Sequence, residues 1–236
     1  MLGGVNRNRL ILVGAAVGAA GLLAVVLILV AGKSSTATTT TTATTTPTTI
    51  SSLLAGIPQH GDTLGKSGAP VTLIVYEDPQ CPFCRNWNVQ SLPTVIDQFV
   101  RTGKIKLVYR GVVIIGPDSV RGLRAIYAAG KQNKLWSLAD ALYAHQGVEN
   151  SGWITNGVIL AAAREVGANG PAIVAGMGAS TVDADLVRAQ KQATADQLQG
   201  TPTFIIQRQP PALAQPLAVT GLDPVSFVAS LSAALQ

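Results

Sequence analysis

The sequence predicts an α/β domain in which a β-α-β unit, a helical insertion and a β-β-α unit follow one another, preceded by one transmembrane helix and a disordered tether. Three observations predict it. Two apolar, β-branched runs, "PVTLIVYED" (Pro70–Asp78) and "GKIKLVYRGVVII", are separated by a helical stretch. Helical spacings then fill about 117–198, and "GTPTFIIQ" returns to strand near the end of the chain.

Ahead of the domain, Leu10 to Val30 reads "LILVGAAVGAAGLLAVVLILV", without a charge. It is long enough for a helix to cross the hydrocarbon core, which takes about 20 residues. A cleaved secretory signal is the alternative, but its apolar core usually runs only about 7–15 residues to a small-residue site, and "LVAGKSS" is a poor one. Arg7 and Arg9 precede the run, so the positive-inside tendency keeps residues 1–9 cytoplasmic, residues 10–32 in the membrane and everything beyond Lys33 outside. Either reading exports the domain, and the expected location is the cell membrane with an extracytoplasmic catalytic part. Residues 33–55 follow as a threonine-rich tether, "SSTATTTTTATTTPTTISS" at its heart, with too little to bury to offset the entropy of ordering. Residues 56–236 remain, enough for one domain with a substantial core.

The first run, Pro70–Asp78, is apolar on both faces, as a strand covered on both sides must be. Helix follows from Pro82 to about Arg101, burying Trp87, Leu92, Val95, Ile96 and Phe99, with a break at Pro93, which cannot donate to the helical ladder. The second run completes a right-handed crossover onto a parallel sheet. The insertion opens with a helix capped by Asp118 or Ser119, with Val120, Leu123, Ile126 and Tyr127 inward. "KLWSLADALYAH" places Leu135, Leu138 and Leu142 at helical spacing beside Trp136. "WITNGVILAAAREVGANG" is a third helix, ending at the glycines 167 and 170, and a fourth falls near Asp183 to Leu198. "PLAVTG" pairs with "GTPTFIIQ" as a hairpin, and "DPVSFVASLSAALQ" closes as a helix. The net charge of +5 lies partly on the membrane flanks. No dense Lys/Arg stripe with aromatics marks the domain, which argues against nucleic-acid binding.

The chain has two cysteines, Cys81 and Cys84. Zinc needs about four ligands, and there is neither a second pair nor a nearby histidine: His60 and His145 fall in separate elements and read as surface or helix-end residues. Trp87, Trp136 and Trp153 read as core. A structural disulfide closing so short a loop removes little chain entropy, and unrelated free thiols outside the cytoplasm are a liability. Redox chemistry is the fourth reading, and placement supports it. Cys81 stands where a strand ends and a helix begins, with Pro82 just inside. There, unpaired N–H groups and the helix dipole favour a thiolate. Cys84, one turn on and more buried, resolves the mixed disulfide that Cys81 forms.

With "EDPQCPFC" and "GTPTF" in view, the chain resembles the DsbA-like group of exported thiol–disulfide oxidoreductases, membrane-anchored here, within the thioredoxin superfamily. The resemblance covers about residues 56–236 and extends to "GDTLGKSGAPVTL" and "KLWSLADALYAHQG". It implies a thioredoxin fold with an inserted helical domain. It also implies that Pro202 is a cis-proline facing the cysteines, with Thr201 beside it to pair with a substrate backbone, so that Pro82, Phe83, Thr201 and Pro202 shape the site. Strongly oxidising members carry a histidine between the cysteines; Phe83 stands there in this chain and can donate no charge, which implies a higher Cys81 pKa and a less oxidising pair than theirs. Glu77 and Asp78 add negative charge upstream, and one of them is placed to relay a proton for Cys84; the alternative is that both merely end the strand at the surface.

The group's chemistry runs in several directions. An isomerase needs a dimerisation module where this chain has a tether, and cytochrome-maturation reductases lack a large helical insertion. The expectation is therefore an oxidase, a monomer needing no cofactor or metal, that gives its disulfide to exported proteins with reduced cysteines and is recharged by a membrane quinone-linked oxidase. A reductase or isomerase of the same fold, or a chaperone-like peptide-binding module with a fixed disulfide, are the alternatives.

Overall fold

The structure is a computed structural model that describes residues 50–208 and 213–236. The expected membrane segment, residues 10–32, and the tether up to residue 49 lie outside the described residues. Among those described, no helix is long and apolar enough to cross a membrane.

Strand β3 (Val71–Glu77) is the axis of the fold. It pairs in parallel with β4 (Ile105–Gly111) from Val71↔Ile105 to Glu77↔Gly111, and antiparallel with β5 (Thr203–Arg208). Two short strands, β1 (Gln59–His60) and β2 (Thr63–Leu64), extend the sheet beyond β4, and β6 (Gln215–Pro216) borders β5, giving the order β1-β2-β4-β3-β5-β6. The crossover from β3 to β4 contains α2 (Pro82–Gln90), α3 (Leu92–Val95) and a π-helical turn Ile96–Val100. Pro93 sits at that division, as its missing N–H requires.

Alternation along β3 and β5 sorts the core into two layers. Leu73, Val75, Phe204 and Ile206 join the larger cluster with α2, α4 (Pro117–Gly130), α5 (Leu135–Ala144) and α9 (Pro224–Ala234). Ile74, Tyr76 and Ile205 face the other way and are covered by Ala193 of α8 (Ser180–Ala195). Tyr76 pins that helix by donating from its hydroxyl to Asp196. On the larger side, Trp87, Phe204 and Phe227 pack as a triad with ring centroids 4.7–5.6 Å apart. Trp87 and Trp136 are fully buried and Trp153 packs against the core, while the His145 side chain is exposed beside Glu165.

The insertion carries α4, α5, α6 (Asn156–Glu165), α7 (Gly170–Gly176) and α8. Several expectations are corrected here. Asp118 does not cap α4 but accepts from the Gly152 N–H; the helix starts at Pro117 behind Gly116, and Ser119 caps it from the first turn, its hydroxyl accepting from the Gly116 N–H (3.4 Å) while donating to Asp78. Helix α7 was not anticipated; Gly170 begins it rather than ending its predecessor, and the Asn169 side chain caps it by accepting from Ala172. The strand paired with β5 is only Gln215–Pro216, with Leu217 N–H still donating to Phe204. The ordered domain also begins before residue 56. Ile50–Leu53 form a helical turn, α1, Leu53 and Leu54 are buried, and Arg101 donates to the carbonyls of Leu53 and Ala55. Two adjacent leucines at the end of a polar tether supply the apolar area that the threonines lack.

Candidate functional site

The C-terminal end of β3 delivers Glu77 and Asp78, and the loop Pro79–Gln80 turns the chain into α2. Cys81 is the residue that caps α2 (φ −69°, ψ 120°), with Pro82 in the first turn. Asp78 builds that loop. Its carboxylate accepts from Gln80 N–H (2.8 Å), the Ser119 hydroxyl (2.7 Å), and the N–H groups of Ile114 (2.7 Å) and Ile115 (2.9 Å). Gln80, fully buried, donates to Ser119 and Asn150 and accepts from the Asn150 N–H. Gln146, just past α5, donates to the carbonyls of Pro79 (2.9 Å) and Cys81 (3.1 Å). The helical insertion therefore clamps the cysteine loop from outside the sheet.

Cys81 and Cys84 are both free thiols, 4 % and 0 % exposed. The Thr201–Pro202 peptide is cis, as the resemblance implied. Cys81 Sγ lies 3.3 Å from the Thr201 carbonyl oxygen, and Thr203 Oγ1 holds this loop by donating to Gly200. The Cys81 thiol is lowered to about 6, first by its hydrogen bond with the Cys84 thiol. Burial opposes that fall, while Thr201 and the N–H groups of Cys84 and Phe83 assist it. That places Cys81 where the helix N-terminus stabilises a thiolate. Cys84 moves the opposite way, raised well above a free thiol by burial, then by its bond to Cys81 and by the negative charge of Glu77. One sulfur is ready to attack or leave as an anion; the other must be given or relieved of a proton.

The two upstream acids part company. Neither ends the strand at the surface, since both are fully buried. Asp78 is occupied by four donors that shape the loop. Glu77 accepts one hydrogen bond, from the Asn88 amide, which also donates to the Cys84 carbonyl. Its second oxygen has no hydrogen-bond partner. Burial drives the Glu77 carboxyl well above the carboxylate range, against the Asn88 bond, and negative charge at Cys81 and Asp140 adds to the rise. Glu77 thus holds its proton more tightly than an ordinary carboxyl, with one oxygen free of hydrogen bonds. Phe83, between the two cysteines, is 63 % exposed, and Ile114, whose N–H donates to Asp78, is 51 % exposed. Among the described residues no cluster of three metal-ligating side chains occurs.

The sequence reading missed Gln80, Asn88, Ser119, Asp140 and Gln146. Asn88 carried a signal, standing four residues after Cys84 on one face of α2. Asp140 carried another, as a lone charge in the apolar helix "LWSLADALYA". Gln80 and Gln146 carried none, because their roles depend on the insertion folding back over the loop.

A thioredoxin family model matches residues 59–212, and the chain belongs to the thioredoxin family. Among relatives, the probable disulfide bond formation protein D of Bacillus cereus is 35 % identical over 105 residues, covering 44 % of this chain and 49 % of that protein. Disulfide bond formation protein D of Bacillus subtilis is 28 % identical over 98 residues, 41 % of this chain and 44 % of that one. The chain spans about half the length of the curated relatives it matches. Of solved structures, oxidised BdbD from Bacillus subtilis superposes with a TM-score of 0.63 at 19 % identity, covering 76 % of this chain and 97 % of that one, which is a likeness of fold. A thioredoxin-like oxidoreductase from Silicibacter pomeroyi gives 0.56 at 26 % identity, covering 73 % and 90 %.

Proposed function

We propose that this chain is an extracytoplasmic thiol–disulfide oxidoreductase of the DsbA-like kind, working as an oxidase on exported proteins. The observation that carries the reading is the opposed pair of thiols: Cys81 at the N-terminus of α2, lowered to about 6 first by its hydrogen bond with Cys84, and Cys84 raised by burial beside Glu77, whose own carboxyl is raised by burial. In the oxidised form, a substrate thiolate attacks Cys81 Sγ. The Cys81–Cys84 bond breaks, Cys84 leaves with the electron pair, and Glu77 gives it a proton. A second substrate thiolate then attacks the substrate sulfur of the mixed disulfide and releases Cys81 as a thiolate, a good leaving group because its pKa is low. The substrate loses two electrons and the pair gains them. Recharging reverses the order: Cys81 attacks a disulfide of the partner, Glu77 takes the Cys84 proton, and the Cys84 thiolate closes the pair.

The apolar run at residues 10–32 supports a membrane anchor, and the names of the Bacillus relatives support a role in disulfide bond formation. A quinone-linked membrane oxidase is the recharging partner this reading requires. The test is disulfide transfer from the oxidised full chain to a reduced, unfolded model protein, followed by thiol trapping. The expected result is one disulfide transferred per chain and none from Cys81→Ser or Cys84→Ser, neither of which can form the pair; mixed instead with the disulfide form of the model protein, Cys84→Ser should be trapped as a mixed disulfide through Cys81. A chain that binds the unfolded protein equally well with both cysteines replaced, and transfers nothing, is a peptide-binding module instead.

A further inference from the structure

Gln146 reaches the backbone of the reacting cysteine from the helical insertion. Its side-chain amide donates to the Pro79 carbonyl at 2.9 Å and to the Cys81 carbonyl at 3.1 Å, so one group spans both sides of Gln80. The Cys81 carbonyl also accepts from the Arg85 N–H at 3.0 Å, the first hydrogen bond of α2. Where that carbonyl is held decides how the first turn of the helix is set against the sulfur. Two features hold Gln146 in turn. Its own N–H donates to the Tyr143 carbonyl in the last turn of α5 (3.2 Å), and α5 packs on α2. The next residue, Gly147, runs hard against Trp153, which packs against the core: a Cβ there would meet Trp153 Cβ at 2.7 Å and Cγ at 2.6 Å, the stiff root of the side chain rather than its tip. A side chain at position 147 would displace the chain there, and Gln146 with it.

We propose that Gln146 is a positioning residue of the reaction: from the insertion it aims and neutralises the carbonyls of the cysteine loop, and so sets how readily the pair gives its disulfide away. The proposal rests on the oxidoreductase reading above. A carbonyl oxygen carries partial negative charge, and one belonging to Cys81 itself opposes a thiolate on that residue. A donor on the carbonyl offsets the opposition. Cys81 is closed off from solvent, where partial charges count for more than they do in water. The groups that lower the Cys81 thiol to about 6 are the Cys84 thiol first, then Thr201 and the N–H groups of Cys84 and Phe83, and all of them depend on where the Cys81 backbone is held. Of the charged groups nearby, Glu77 and Cys81 feel each other, and Asp78 holds the loop from within the sheet. Losing the Gln146 amide therefore removes a dipole and a restraint but no charge. The contact also makes the pair answer to the insertion, because Gln146 keeps its place only while α5 is docked.

The test uses three variants of the full chain. Gln146→Met keeps the length and bulk of the side chain without its donors, Gln146→Lys restores donors of similar reach, and Gly147→Ala moves the residue without altering it. For each, the Cys81 midpoint is read from thiolate absorbance of the reduced chain, and the reduction potential from equilibration with glutathione at pH 7.5 and at pH 5.0. Gln146→Met should raise the midpoint by roughly 0.5 to 1 unit, which is a three- to tenfold tighter hold on the proton. At pH 7.5 its potential should fall by nearly the same factor, about 15–30 mV for a two-electron couple. At pH 5.0 the difference in potential should all but vanish, since Cys81 is then protonated in both chains. Gly147→Ala should act in the same direction, and it decides the matter should Gln146→Met fold poorly; Gln146→Lys should return the midpoint to the wild-type value or below it. Variants that melt at lower temperature with an unchanged midpoint and potential overturn the proposal, because Gln146 is then a brace and nothing more. So does a potential shifted equally at both pH values, which places the effect on the disulfide rather than on the thiolate. A wild-type chain that exchanges no disulfide with glutathione at all overturns this inference and the function on which it rests together.

Discussion

Cys81 owes its reactivity to backbone as much as to side chains. The N–H groups of Phe83 and Cys84 point at its sulfur, and the Cys84 thiol donates to it, so the phenyl ring at position 83 need not supply charge. Titration of the reduced chain by thiolate absorbance near 240 nm should show one sulfur with a midpoint near 6 and a second that stays protonated well beyond it. The low value has a stability consequence with a definite sign. A thiol whose folded pKa lies below its unfolded value stabilises the fold fully above the unfolded pKa, and that contribution is lost as pH falls through the folded one. The reduced chain should therefore lose stability relative to the disulfide form as pH drops from about 9 to about 6. Asp140 has the opposite sign. Its folded pKa is raised from 3.8 to about 7, so its contribution is present in acid and lost as pH rises across that window. Urea denaturation of Asp140→Asn should show that loss abolished, a difference on the order of 4 kcal/mol for a carboxyl this buried. A wild-type pH–stability curve retained in the variant would remove Asp140 as a strained acid.

At the scale of elements, the site is a strand end, a helix start and the loop that leads into the neighbouring strand β5, and they were legible in the sequence to different degrees. Strand β3 and helix α2 were readable because an apolar run on both faces and a proline after Cys81 leave few alternatives. The break at Pro93 and the closing helix α9, capped by Asp223, were readable for the same kind of local reason. Helix α7 was not, because "GPAIVAG" begins with two residues that usually punctuate and its cap, Asn169, lay inside what looked like a terminating run. Ser119 was readable as a cap of α4, but its recruitment to Asp78 across 41 positions was not, because no local pattern encodes that contact. That recruitment makes α4 part of the site. Gly122 on α4 lies against the cysteine loop: a Cβ there would meet Pro79 Cγ at 2.8 Å and Ile154 Cδ1 at 2.9 Å. Gly122→Ala should push Pro79 outward, cost about 1–3 kcal/mol as overpacking does, and raise the Cys81 midpoint as the loop leaves the helix N-terminus. An alanine variant with unchanged stability and titration would show that α4 does not brace the loop.

For the whole molecule, the division of labour is between a central sheet that brings the reacting groups together and an insertion that fixes and serves them. The sheet sets Cys81 opposite Thr201 and buries Glu77; the insertion supplies Ser119, Gln146 and Asn150. Sequence reasoning found the first set because those residues lie in two short motifs, and missed the second because its members are scattered over helices that meet only in the fold. The arrangement favours a pair that gives its disulfide away, since stabilising the Cys81 thiolate stabilises the reduced form. The measurement that bears on this most directly is the reduction potential of Cys81–Cys84 in the full chain, equilibrated against glutathione and read by thiol trapping. The account predicts a value well above about −200 mV; a value below about −270 mV would mean that the pair keeps its disulfide, and would contradict an oxidase.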